Sequence, residues 1–239
     1  AKYDGLAGTV ILDGSNVTAH WSGPAGGLTR LVESVAPGDT VGIICSPEWT
    51  SLSQSVESQL AQRYVVPEQF LVDEGRKDDV SLASSLARCR GIVFASNRPE
   101  SAASYFDTST AVGRTIRSAA EAGTPMSFLG NDARLPGDTV VDGTESHAYA
   151  SYYGMLSLRR GLGLVTGITS MSRLYEHPDS IDNRMSGLFW GMAKAQSSFG
   201  FLIDEESSVV LKGDNCLAAG ATPIMVIDAR NVSTTGFPA

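Results

Sequence analysis

Across its first two-thirds the chain alternates short β-branched runs with amphipathic stretches, and nothing else in it restricts the fold as much. The runs are Thr9 to Leu12, Thr40 to Cys45, Gln69 to Val72, Gly91 to Ala95 and Met126 to Leu129. Most are apolar at consecutive positions, as strands covered on both faces are. Between them apolar residues recur at helical spacing: Leu28, Leu31, Val32 and Val35; Leu52, Val56, Leu60 and Tyr64; Val80, Leu82, Leu86 and Ala87; Val112, Ile116, Ala119 and Ala120. Ser51 and Asp79 stand where helix N-termini need a side-chain acceptor, and Pro37-Gly38 and Gly123 stand where helices stop. One helix between successive strands predicts an α/β, three-layer sandwich: a flavodoxin-like, mostly parallel sheet with helices on both faces.

Beyond Leu156 the rhythm changes. A polar loop runs from Arg173 to Asn183, a helix is expected from Arg184 to Gln196, and the runs Ser198 to Ile203 and Ser208 to Leu211 read as a C-terminal hairpin. Pro223 to Ile227 is the last strand candidate. No linker, composition shift or internal repeat divides the chain, so residues 1–239 are expected to form a single domain.

Charge and composition exclude several classes of function. Acidic residues outnumber basic ones by 26 to 18, a formal net charge of −8, which gives nucleic acid no basic surface to follow. No apolar run approaches the ~20 residues that a bilayer-spanning helix needs, so no membrane partner is expected. The three cysteines, Cys45, Cys89 and Cys216, show no C-x-x-C spacing, and neither a metal nor a cofactor is implied. Cys45 ends one strand run and Cys89 precedes another, an arrangement compatible with a disulfide in an oxidising compartment. Two sequons, at Asn16 and Asn231, point the same way and would carry sugar in a secreted glycoprotein.

The strand Met126 to Leu129 runs into Gly130-Asn131-Asp132-Ala133-Arg134, a tight turn like those that lift a nucleophile above a sheet edge. Here, and in five further segments, the chain resembles the cyanophycinase-like serine peptidases, whose fold is that of the class I glutamine amidotransferases. The segments are Cys89-Arg90-Gly91-Ile92-Val93-Phe94, Gly161-Leu162-Gly163-Leu164, Asn183-Arg184-Met185, Gly200 to Ser207 (similar to the family's G-I-G-I-D-E-D-T) and Val226 to Arg230. The likeness runs from about Thr9 to Val232.

Each place where that family carries chemistry departs from its pattern. The elbow G-T-S-A-G-A lines up with Gly130 to Leu135, so the serine falls on Asp132 and the second glycine on Arg134. The loop G-G-D-Q lines up with Ser96-Asn97-Arg98-Pro99, and D-Q-H-F, source of the general base, with Met171-Ser172-Arg173-Leu174. An arginine stays protonated and cannot take the proton of a serine. Losing a nucleophile commonly removes on the order of a millionfold of rate. The resemblance with these departures implies a pseudoenzyme, working as a secreted binding or assembly protein.

Several readings of the site stay open at this level. Asp132 could attack a peptide, amide or ester itself if His177 or His147 activated water against the resulting ester. It could instead be part of a polar turn, satisfying local amides or pairing with Arg134. Asn131, Arg134, Arg173 and Asn97 would line a vacated cleft and could hold an anionic ligand. Self-association is the other expectation, with Tyr149-Ala150-Ser151-Tyr152-Tyr153 as part of its surface.

Overall fold

A computed structural model describes residues 8–15, 19–147, 149–173 and 184–232. Its first half follows the expected alternation: β1 (Thr9–Asp13), α1 (Gly27–Val32), β2 (Thr40–Cys45), α2 (Thr50–Ala61), β3 (Val66–Leu71), α3 (Val80–Leu86), β4 (Gly91–Phe94), α4 (Pro99–Tyr105), α5 (Ala111–Glu121) and β5 (Met126–Leu129). Then come β6 (Thr139–Asp142), β7 (Ser157–Arg160), β8 (Ile168–Ser172), α6 (Arg184–Ala195), β9 (Phe199–Ile203), β10 (Ser207–Lys212), β11 (Asn215–Gly220) and β12 (Ile224–Asp228).

Seven strands form the main sheet in the order β11-β10-β1-β5-β4-β2-β3. The five from β1 to β3 are mutually parallel, and β10 and β11 add antiparallel to the edge at β1. Alternation along each strand decides which layer it feeds. Ile11, Val41, Ile43 and Val93 point to a core closed by Leu28 and Leu31 of α1 and Val56 and Leu60 of α2. Val10, Leu12, Ile44, Ile92 and Phe94 point to the opposite core, closed by Leu82 and Leu86 of α3 and Val112 and Ile116 of α5. The central strands are apolar at nearly every position because both of their faces are covered.

Asp79 caps α3 as its position predicts, accepting from the amides of Ser81 and Leu82 at 2.9 and 3.0 Å. Ser51 caps nothing: α2 starts at Thr50, with Trp49 at its N-cap position. The short α4, rich in Ala and Ser, lacks the apolar repeat that would have revealed it.

Two expectations are corrected. The runs at β9 and β10 do not form a hairpin with each other. β9 lies between β12 and β8 in a separate three-stranded sheet, while β10 crosses to the main sheet and forms its hairpin with β11. Cys45 and Cys89 are both buried free thiols. Val41 pairs with Gly91, so Cys89 lies at the start of β2 and Cys45 at its end. The Cys89 sulfur packs beside Gly42, three residues of extended chain from Cys45, roughly 10 Å, beyond any disulfide.

The three-stranded sheet packs on α6 through Met171, Leu188, Met192 and Leu202. On the same helix Gly191 lets β6 approach closely, since a Cβ there would lie 2.3 Å from Cγ2 of the buried Val141.

Candidate functional site

Three strand ends meet at the C-terminal edge of the main sheet and its neighbour. β4 leads into Ser96-Asn97-Arg98, β5 into a 3-10 turn at Gly130–Arg134, and β8 into Arg173. Gly130, Asn97 and Arg173 all have left-handed backbones, with φ of 58°, 54° and 65°. Glycine meets that demand freely, whereas Asn97 and Arg173 hold it at a cost. Pro136 ends the turn two residues after Arg134, so no helix follows the elbow.

Asp132 is fully buried, and its carboxylate is held from across the sheet. One oxygen accepts from the Ser96 hydroxyl at 2.7 Å, and the other accepts from the backbone amides of Ser96 and of Asn97, the latter at 3.3 Å. Asp132 is thus neither satisfied by its own turn nor paired with Arg134. Burial pushes its pKa up to about 6, and the hydrogen bonds from Ser96 and Asn97 limit the rise. Its neighbour Asn131 ties the same strand ends together, donating to Asn97 Oδ1 at 3.0 Å and accepting from the Ser172 hydroxyl at 3.3 Å.

Arg134 is buried and turned away from Asp132. Its guanidinium donates to the carbonyls of Asn131 and Val141, at 3.3 and 3.1 Å, and meets Glu100 Oε1 at 2.6 Å. A second buried arginine, Arg184 of α6, meets Glu145 Oε1 at 2.5 Å, with Arg134 4.0 Å from the same oxygen. Burial alone would raise the pKa of Glu145, but Arg184, Arg134 and Arg173 together hold it below the ordinary value. Arg173 is half-buried on this side of the elbow, where its charge reaches Glu145.

Of the two histidines proposed to work with Asp132, the one among the described residues, His147, is not a partner of its carboxylate. His147 is exposed and packs its ring against Tyr149 and Tyr153, at 6.0 and 5.4 Å between centroids. His177 and Asn16 lie outside the described residues, whereas Asn231 is exposed. Tyr149, Tyr152 and Tyr153 form an exposed edge-to-face cluster.

Among the described residues, the carboxylate of Asp132 has amide and hydroxyl partners only. The residues that sequence reasoning missed are Ser96, Glu100 and Glu145. Ser96 was within reach, because it leads the loop set opposite the elbow by the resemblance; the two glutamates look like any surface acid.

No family model and no curated protein sequence matches the chain. Solved structures do match its fold. A peptidase from an acI-B1 Actinobacterium has a TM-score of 0.68 at 15% identity, over 96% of this chain and 97% of that one. A putative peptidase E protein from Listeria monocytogenes EGD-e has a TM-score of 0.61 at 12% identity, over 90% of this chain and 99% of that one. The fold is that of these peptidases.

Proposed function

We propose that this chain is a non-hydrolytic relative of the cyanophycinase-like serine peptidases, working outside the cell as a binding or assembly protein. The observation that supports this reading is the engagement of the Asp132 carboxylate by the amides of Ser96 and Asn97. In a serine hydrolase of this design, amides in such a loop stabilise the oxyanion that develops during acyl transfer. A carboxylate of pKa about 6 is mainly ionised at neutral pH, so at that pH it fills the place with an anion. Losing one oxyanion donor costs ~10²–10³ in rate, on top of the missing serine and base.

Binding would then use the surroundings of the elbow. Of the two arginines of this group, Arg134 is buried and Arg173 half-buried, so Arg173 has the larger surface toward solvent. The extracellular setting rests on the sequons at Asn16 and Asn231, and self-association on the exposed tyrosines.

The test is a hydrolysis panel of dipeptides, an isopeptide and aryl esters against the wild-type protein, Asp132→Ser and Asp132→Asn. No turnover above background is expected from any of the three. Wild-type turnover that disappears in Asp132→Asn would instead establish a hydrolase rebuilt around this carboxylate.

A further inference from the structure

β2 and β4 lie side by side, yet their connections part: β2 leads outward to β3, and β4 leads the other way to β5. Such a switch point opens a crevice beyond the strand ends, the habitual ligand site of open α/β sheets. Here the crevice is a cleft of about 200 Å³ between the ends of β2, β3 and β4 and the flank of α4. It adjoins the network around Asp132 at Ser96, whose hydroxyl also accepts from the Arg98 amide.

Its walls and mouth differ in chemistry. The inner wall is apolar, built from Val72, Ala102, Tyr105 and Phe106. Ser46, at the end of β2, lines the cleft beside them. At the mouth Arg98 and Glu48 meet at 3.2 Å, with side chains 58% and 66% exposed. An exposed pair of this kind is held by roughly 1 kcal/mol or less, so a ligand can separate it at little cost. The third charge at the mouth, Asp73, has one oxygen committed to the amides of Gly75 and Arg76.

We infer that this cleft binds a free α-amino acid with an apolar side chain: the carboxylate meets Arg98, the ammonium meets Glu48, and the side chain enters between Val72 and Phe106. One cation and two anions at the mouth suit a zwitterion. A dicarboxylate would find a single guanidinium, and a plain amine would leave that guanidinium unmatched. The volume lies below the ~300 Å³ at which sites for nucleotide- or drug-sized ligands begin. This inference stands apart from the proposed loss of hydrolysis, since binding at Arg98 and Glu48 asks nothing of Asp132.

The experiment is calorimetric titration and thermal shift of the full chain with L-leucine and L-phenylalanine, beside their amides and N-acetyl derivatives. Saturable binding of a free amino acid, with both derivatives weakened at least tenfold, is the expected result. Arg98→Gln and Glu48→Gln should each weaken binding about tenfold, and Ser101→Trp, at an exposed mouth position, should block it. All three are surface changes, so an unchanged melting temperature without ligand verifies folding. The inference fails if no amino acid binds at about 10 mM, if the amides bind as well as the free acids, or if the variants bind as the wild type does. Hydrolysis by the wild-type protein would overturn the proposed function and leave these binding outcomes as they are.

Discussion

Ser96 gives both its backbone N–H and its hydroxyl to one carboxylate, that of Asp132, 36 residues further along the chain. The contact ties the ends of β4 and β5 to each other. A second buried carboxylate does similar work at the neighbouring strand end. Asp13 finishes β1 and accepts from the amides of Ser15 and Gly27, so it anchors the start of α1.

Both carboxylates make stability depend on pH. Burial raises Asp13 to about 7 and Asp132 to about 6, from an ordinary 3.8. The folded protein therefore holds these protons more tightly than the unfolded chain does. Their stabilising contribution is complete below about pH 4 and is lost as pH rises through 6 and 7. The loss is on the order of 3 kcal/mol for Asp132 and 4 kcal/mol for Asp13. Asp132→Asn keeps the geometry, because the amide oxygen can accept from both backbone N–H groups while its NH₂ donates to the Ser96 hydroxyl. Denaturant titrations at pH 5 and 8 should show a smaller pH difference for this variant than for the wild type. An equal difference would mean that Asp132 does not titrate in this window.

Arg134 is an expensive residue to remove. Truncation to alanine leaves Glu100 facing a cavity and two backbone carbonyls without their donor. Such a loss costs about 3–5 kcal/mol. Arg134→Ala should lower the urea midpoint sharply, while Glu100→Gln, at a partly exposed partner, should cost about 1 kcal/mol.

The thiols should separate by reactivity rather than pair. Cys45 and Cys89 are buried, and desolvation raises both, Cys89 to about 12; Cys216 is exposed. A thiol-reactive chromophore should label one cysteine quickly in the native protein and the other two only on unfolding. Dithiothreitol should leave the melting temperature unchanged.

Gly191 should tolerate no side chain at wild-type cost. Gly191→Ala drives a methyl into Val141 and should lose about 1–3 kcal/mol. Val141→Ala removes the atom struck, so the double variant should be more stable than the two separate losses add up to, and a double-mutant cycle reads the difference.

Much of the architecture follows from the order of residues alone. The cores on the two faces of β1, β2, β4 and β5 demand apolar side chains at consecutive positions, and that demand is visible as uninterrupted runs. The Asp79 cap is equally local, because its acceptor and donors lie within three residues. Partnership is not local. Ser198 to Ile203 and Ser208 to Leu211 have the same alternation whether they pair with each other or, as here, join different sheets. The turn after β5 behaves likewise: the order of residues places an aspartate there without naming its partners. Only the tertiary structure decides that the amides receiving it come from the end of β4, that Arg134 turns to Glu100, and that Cys45 and Cys89 are separate buried thiols. A buried charge takes whichever donors the fold brings within 3 Å, and no spacing along the chain encodes that distance.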